Sequence, residues 1–139
     1  MSIEKNKATI RRHVEEVFNK GKLAVADEII SPDYIYHGPV GEFKGPEGFK
    51  QMVTIARQAF PDIHFVIDDV VAEGDKIAAR YTWTGTFKGE FMGMAPTGKK
   101  IKITSAYFYS FKDGKEVEAL PFADMLSFYQ QLGVKPPGQ

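Results

Sequence analysis

The stretch that decides the fold is "IHFVIDDVVAEGDKIAARYTWTG", residues 63–85, where apolar residues recur at every second position. The alternation runs from Ile63 to Ile67 and again from Ile77 to Trp83, on either side of the short segment "AEGDK", residues 72–76. A period of two is typical of a β-strand with one buried face, because successive side chains point to opposite sides of a sheet. Glycine and charged residues between two such runs indicate a turn. The stretch therefore predicts two antiparallel strands joined as a hairpin.

Two further strands follow this hairpin and extend it into a meander. Apolar and aromatic residues alternate from Ile101 to Phe111, after the irregular, glycine-bearing stretch from Gly85 to Gly98. Asp113-Gly114 is a strong signal for a two-residue hairpin turn, and an apolar strand begins at Lys115. The chain therefore contains four consecutive strands that we expect to pair antiparallel.

Helices precede and follow the meander. The helical spacing of apolar residues, and the glycines and prolines that end each run, predict the other elements. These are a helix from Ile3 to Phe18 ended by Gly21, a shorter helix over 23–30, a brief strand Asp33–His37, a glycine-rich loop from Gly38, a helix from Pro46 to Phe60 and a last helix from Asp124. Three helices before a meander must cover one face of a curved sheet, so the predicted class is α+β. We expect one domain, 1–139, with 135–139 as a loose tail.

Composition excludes several classes of function. Lysine plus arginine and aspartate plus glutamate both number 18, so no net positive field attracts nucleic acid. The absence of cysteine excludes thiol catalysis and cysteine-ligated metals. His13, His37 and His64 are far apart and predict no metal site, with His37, His64 and a carboxylate as a minor alternative. No apolar run has the length of a signal peptide or a membrane span, so we expect a cytoplasmic protein without a membrane partner.

Asp124 is the only charge between Glu118 and Lys135, and its neighbours are mostly apolar. Two interpretations of this carboxylate are open from the residues alone. As the N-cap of the last helix it would accept backbone N–H bonds and be stabilised as an anion. Facing a cavity beside Phe122 and Leu126 it would be desolvated, and it could take a proton from carbon or oxygen and return it later.

Aromatic residues make up 13% of the chain, and many fall on strands of the predicted sheet. They either form a packed core or line a cavity between the sheet and the helices, which would suit a flat apolar or aromatic ligand. The side chains that we expect to bind such a ligand are Tyr36, Trp83, Phe91, Tyr107, Leu120 and Phe122. His37 ends the brief strand, where it either bonds the following loop or donates to a ligand carbonyl and carries protons.

Three stretches resemble the SnoaL-like polyketide cyclases of the NTF2-like superfamily: "YIYHGPVGEFKGPEGFKQMV" at 34–53, "AFPDIHFVIDDVVAEGDKIAARYTWTGTFKGEFMGMAPTGKKI" at 59–101 and "FKDGKEVEALPFADMLSFYQQLG" at 111–133. The likeness runs over about residues 5 to 134. It implies a cone of curved antiparallel β-sheet with N-terminal helices packed on its concave face around a pocket, and usually a homodimer. It also implies ring closure by intramolecular aldol condensation of an aromatic polyketide ester, without metal or organic cofactor.

The resemblance further implies roles for two side chains. The aspartate of "ADML" matches the family's general base and acid, so that role falls on Asp124. The histidine before Gly-Pro matches a recurrent pocket position, which is His37. Two departures stand beside these matches. Residues 119–121, Ala-Leu-Pro, replace a tryptophan that the family commonly has, and Tyr107 and Tyr109 lie on the strand where the cyclases use a further histidine.

The sequence therefore favours a cofactor-independent enzyme that acts on a small carbonyl compound by general acid–base catalysis, either cyclising or isomerising it. Asp124 would remove an acidic proton next to a carbonyl, and His37, Tyr107 or Trp83 would donate to the enolate oxygen. One alternative is a binding protein that holds an apolar molecule in the same cavity, and another is a structural dimer whose pocket is filled by side chains. A hydrolase would need a second carboxylate, for which simple alternation offers Asp69.

Overall fold

The computed structural model, which describes residues 2–38 and 41–136, contains six strands in one curved sheet. The strands are β1 (Ile30–Gly38), β2 (Gly41–Lys44), β3 (His64–Glu73), β4 (Lys76–Thr86), β5 (Lys100–Lys112) and β6 (Lys115–Ala123). Their spatial order is β2-β1-β6-β5-β4-β3. The predicted α+β class is confirmed, with the helices packed on one face of the sheet.

The α-helices of the described chain are α1 (Ile3–Arg12), α2 (Ala26–Ile29), α3 (Gly45–Ala59) and α4 (Met125–Leu132). A π-helical segment, His13–Phe18, continues α1, and a 3₁₀ turn, Leu23–Val25, leads into α2. Gly133 ends α4 with a φ of +80°, the left-handed conformation that favours glycine. Beyond it, residues 135–136 of the predicted tail have no regular secondary structure, and 137–139 lie outside the described residues. No helix among the described residues is long and apolar enough to cross a membrane.

The predicted meander of four strands is confirmed. β3 pairs with β4, β4 with β5 and β5 with β6, and all three pairs are antiparallel. Asp113 and Gly114, between β5 and β6, have φ of +52° and +78°. A two-residue hairpin turn of type I′ needs this left-handed conformation at both central residues, which Asp-Gly supplies at little cost.

The first two strands differ from the prediction. β1 begins at Ile30 rather than at Asp33, and it includes Ser31-Pro32, which the sequence predicts to stop a helix. β2 occupies part of the predicted loop. β1 pairs antiparallel with β2 but parallel with β6, so the sheet is mixed. Alternation identifies a strand but not its partner, and the parallel pair joins opposite ends of the chain.

A bulge at Asp68 changes which residues of β3 face the helices. Ile67 pairs with Tyr81 and Asp69 pairs with Arg80, so one residue of β3 is extra. An extra residue shifts the alternation by one position. Asp69 is therefore exposed on the outer face of the sheet, and the prediction that it faces inward is wrong. The hydrolase alternative loses its second carboxylate.

A polar pair, His13 and Glu116, lies inside the core between the helices and the sheet. His13 of the π-helical segment and Glu116 of β6 are almost fully buried, and Nδ1 of the histidine lies 2.8 Å from Oε2 of the glutamate. The rings of Phe18, Phe49 and Tyr109 surround the imidazole at centroid distances of 5.4, 4.8 and 5.7 Å. The contact fixes the N-terminal helical region against the last strand.

Candidate functional site

A cavity of about 440 Å³ lies between the helix-covered face of the sheet and the helices α3 and α4. Its volume falls within the range of small-molecule sites, roughly 300 to 1,000 Å³. On the helix side, α3 contributes Met52, Ile55 and Ala56, and α4 contributes Met125 and Phe128. Residues from all six strands form the opposite wall. The wall is mostly apolar, so the cavity suits an apolar ligand of limited size.

The side chains expected to bind ligand are mostly brought together by the fold. Those that line the cavity are Tyr36, Trp83, Phe91 and Tyr107. Phe122 also borders it, but its side chain is 59% exposed and its ring packs against Phe108 on the outer face of the sheet. Leu120 is not among the lining residues, which corrects the prediction for it. In the β5–β6 register Leu120 lies opposite Phe108, whose side chain is 51% exposed on the outer face of the sheet. Successive strand residues alternate between faces, so Pro121 lines the cavity and Leu120 does not.

Aromatic rings that contact one another form much of the wall. The indole of Trp83 is stacked against Phe65, with centroids 5.7 Å apart, and lies edge-on to Phe60 at 5.3 Å. Phe91 lies 5.9 Å from Phe60 and 5.8 Å from Phe128. Rings held in this way keep their orientation before a ligand arrives. The wall is therefore preorganised for contact with a flat molecule.

His37 lines the cavity at the end of β1 and bridges two carboxylates. Its Nδ1 lies 3.0 Å from Oε2 of Glu42 on β2, and its Nε2 lies 3.2 Å from Oε2 of Glu118 on β6. The two carboxylates are on opposite sides of the ring, and no group of three or more histidine, aspartate or glutamate side chains in the described chain is arranged to hold a metal ion. His64 is on β3, which three other strands separate from β1 in the sheet, so the structure does not bring the two histidines together.

Asp124 is the N-cap of α4. Its Oδ1 accepts a hydrogen bond from the backbone N–H of Ser127 at 3.0 Å, and the residue is exposed. Asp124 itself is not among the lining residues, although Ala123 before it and Met125 after it both line the cavity. The carboxylate therefore lies beside the cavity, at the point where β6 passes into α4.

The tyrosines of the cavity are hydrogen-bond donors rather than bases. Burial raises the pKa of Tyr107 well above its usual value, and the nearby Tyr36 adds to the effect through charge repulsion. Burial also raises the pKa of Tyr36. Both hydroxyls therefore remain protonated throughout the pH range in which most proteins function. They can donate to a ligand oxygen, but they cannot accept a proton from carbon.

Several residues of the site escape prediction from the sequence. Ser105 lines the cavity. The alternation along β5 could have identified it, because it places Ser105 on the same face of the strand as Tyr107. The lining residues of α3 belong to an apolar stripe that is equally typical of a core. Glu42 and Glu118 could not be assigned to His37, because β2 falls in a predicted loop and Glu118 is 81 residues away in sequence.

Comparisons with known proteins agree with this geometry. A family model described as SnoaL-like polyketide cyclase matches residues 8–132. The aklanonic acid methyl ester cyclase AcmA of Streptomyces galilaeus is 32% identical over 130 residues, which cover 91% of this chain and 89% of AcmA. The nogalonic acid methyl ester cyclase of Streptomyces nogalater is 28% identical over 119 residues, 84% of this chain and 89% of that protein. The solved structure of TsrD from Streptomyces laurentii shares the fold with a TM-score of 0.88 at 24% identity, covering 97% of this chain and 99% of TsrD.

Proposed function

The chain belongs to the SnoaL-like polyketide cyclase family, and from this membership we propose that it closes a ring in a small, mostly apolar carbonyl compound by general acid–base catalysis. The proposed reaction is an intramolecular aldol addition that uses neither metal nor organic cofactor. Isomerisation of such a compound would share the first step, which is removal of a proton next to a carbonyl.

The observation that carries the proposal is an aromatic cavity with a few polar groups on one side. The polar side chains Tyr36, His37, Ser105 and Tyr107 come from β1 and β5, which flank β6, whereas α3, α4 and β4 supply mainly apolar groups. Among the described residues that line the cavity there is no lysine, arginine, aspartate or glutamate. A free carboxylate would find no lysine or arginine to pair with there, and burying it would be costly. This favours a neutral substrate such as a polyketide ester, in keeping with the methyl ester cyclases that the chain resembles.

Asp124 is the proposed base and acid. Its position between two lining residues supports the assignment. The carboxylate takes a proton from the carbon next to a carbonyl, and the C–H electron pair becomes an enolate. The enolate carbon attacks a second carbonyl carbon of the same molecule, so a C–C bond forms and an alkoxide appears. Asp124 returns the proton to the alkoxide, and the substrate and product have the same atoms.

Tyr107 and His37 are the proposed donors to the enolate oxygen. Tyr107 keeps its proton because burial raises its pKa, so its hydroxyl can stabilise negative charge that develops on oxygen. His37 is held at the same side of the cavity by its contacts with Glu42 and Glu118. Each ring nitrogen of His37 already faces a carboxylate oxygen, so His37 donates to the substrate only after the longer contact, with Glu118, opens.

Replacement of Asp124 by asparagine tests the proposal. Asparagine is as good an N-cap as aspartate, so Asp124→Asn keeps α4 but removes the base. We expect the cyclisation rate of an aromatic polyketide methyl ester to fall by a factor of about 100 or more. Asp113→Asn, in the β5–β6 turn, is the matched control and should keep the wild-type rate. Both are measured by chromatography of the ester, and equal rates in the wild type and Asp124→Asn would contradict the proposal.

A second candidate function is binding without catalysis. The observation that favours it is the hydrogen bond from Ser127 N–H to an exposed Asp124, which gives the carboxylate a sufficient structural role as a cap. A binding protein would hold a flat ligand with the same affinity after Asp124→Asn and would not exchange ligand C–H protons with D₂O. Mass spectrometry of a bound aromatic ketone after incubation in D₂O separates the two candidates.

We also propose that the protein forms a homodimer through the outer face of its sheet. Val66, Val71 and Phe108 on that face are 49%, 61% and 51% exposed. Apolar side chains collected on one open sheet face favour burial against another surface, since water contact with them is unfavourable.

A further inference from the structure

The hydroxyl of Ser105 is a buried polar group that the proposed mechanism does not use. Ser105 lies on β5 between Ile103 and Tyr107, which also line the cavity, and it is only 5% exposed. Its Oγ has no hydrogen-bond partner among residues 2–38 and 41–136. A buried hydroxyl without a partner costs free energy of folding, and an alanine at this position would avoid the cost. The presence of serine therefore points to a partner that arrives with a ligand.

The protein around Ser105 leaves the hydroxyl free for such a partner. Its neighbour on β4 is Tyr81, whose hydroxyl lies 2.8 Å from the hydroxyl of Tyr109 and is hydrogen-bonded to it. Its neighbour on β6 is Ala123, which has no polar side-chain atom. Ser110, on the same strand, differs in that its Oγ accepts a hydrogen bond from Lys76 at 2.9 Å. The side of Ser105 that remains open is the cavity.

We infer, on the basis of the proposed function, that Ser105 is a substrate-binding residue whose hydroxyl donates to a carbonyl oxygen of the bound substrate. A carbonyl oxygen accepts from a hydroxyl without bringing charge into the apolar cavity. Tyr107 is two residues along the same face of β5, about 7 Å away along the strand. The two hydroxyls can therefore hold two oxygens of one extended substrate and fix which carbon lies near the base.

A binding role and a structural role of Ser105 predict opposite effects on stability. If the hydroxyl stabilised the fold, its removal would lower the unfolding temperature. If the hydroxyl forms its hydrogen bond only with a bound ligand, Ser105→Ala removes an unpaired polar atom from the free protein. The unfolding temperature is then unchanged or higher. A loss of ligand contact together with unchanged or higher stability is therefore the expected signature.

The experiment uses 2-acetylnaphthalene labelled with ¹³C at the carbonyl, a flat neutral ketone whose infrared C=O band reports hydrogen bonding. We expect Ser105→Ala to move the band of the bound ketone to higher wavenumber and to weaken binding by about 3- to 10-fold. Thr104→Val removes a hydroxyl from the exposed neighbour on the outer face and should change neither quantity. An unchanged band and affinity in Ser105→Ala would overturn the inference, as would a lower unfolding temperature with unchanged affinity.

Turnover of an ester separates this inference from the proposed function. If the wild type binds the ketone through Ser105 but cyclises no polyketide ester, the proposed function fails and the binding role stands. If the wild type cyclises the ester and Ser105→Ala does so with the same kcat, KM and carbonyl band, the binding role fails and the function stands. A wild-type protein that neither binds the ketone nor cyclises the ester would overturn both.

Discussion

The contact between His13 and Glu116 is a residue-scale feature buried in the core. Both side chains are shielded from water. The ring nitrogen and the carboxylate oxygen lie 2.8 Å apart, and each provides the other with the hydrogen-bond partner that water would otherwise supply. The second carboxylate oxygen, Oε1, has no partner among the described residues, so Glu116 already tolerates one unmet hydrogen bond. Removal of the histidine would leave both oxygens of the carboxylate without a partner.

We predict that His13→Ala lowers the free energy of unfolding by about 3–5 kcal/mol, because it leaves an uncompensated buried carboxylate. The measurement is urea denaturation followed by circular dichroism. His64→Ala, at an exposed position on β3, is the matched control, and we expect it to change the free energy of unfolding by less than about 0.5 kcal/mol. Similar losses in the two variants would show that the buried pair does not matter for stability.

The role of His13 illustrates which residues a sequence can identify. His37 is identifiable because it ends a predicted strand before a turn and matches a family position. His13 lies within an ordinary amphipathic helix, and its partner is 103 residues away. Local pattern carries no information on such a contact. The same holds for Ser105, whose alternation places it in the wall while its missing hydrogen bond is visible only in the folded chain.

At the scale of elements, Asp62 joins the turn after α3 to the end of β4. Its Oδ1 accepts from the backbone N–H of Thr86 and its Oδ2 accepts from the hydroxyl of the same residue, both at 2.7 Å. Hydrogen bonds from the Thr86 hydroxyl and N–H lower the pKa of the Asp62 carboxyl. A carboxyl with a lowered pKa in the folded state stabilises the fold above its unfolded pKa, and this contribution is lost as the pH falls through the folded value.

Asp62→Asn therefore gives a pH-dependent effect with a defined sign. We predict that the variant is less stable than the wild type by about 1 kcal/mol at neutral pH, since one charged acceptor is lost. The difference should begin to shrink as the pH falls below about 4, the pKa of the unfolded chain, and should vanish below the lower pKa of the folded protein. Thermal unfolding of both proteins between acidic and neutral pH checks this. A difference that grows on acidification would contradict the assignment.

The sequence predicts an element well where the spacing of apolar residues stays regular over many positions, as in α3 and in the meander from β3 to β6. It misses β2, which has four residues and begins with a glycine, because so short a run has no measurable period. It also misses the bulge at Asp68, since Asp68 and Asp69 are alike and either could be the extra residue. These two omissions explain the incorrect placement of Asp69 and the unassigned partner of His37.

At the scale of the whole molecule, the proposed homodimer can be tested on the outer face of the sheet. Phe108 lies near the middle of this face, and its ring contacts Phe122 edge-on at a centroid distance of 5.8 Å. We predict that Phe108→Glu converts the proposed homodimer into a monomer, because a carboxylate would be buried at the contact. Light scattering after size-exclusion chromatography measures the mass. Gln130→Glu, on an exposed position of α4, is the control and should remain dimeric. A wild-type mass of one chain would refute the dimer.

The parallel pairing of β1 with β6 has a consequence for the synthesis of the chain. Ile30 pairs with Glu116 and Tyr36 pairs with Ala119, so β1 can pair with β6 only after nearly the whole polypeptide has left the ribosome. Until then one edge of β1 is unpaired, and the aromatic side chains that later line the cavity are exposed to water. Contacts between distant segments form slowly, because the loop between them must be closed first. We therefore expect the sheet to close only after β6 has been synthesised.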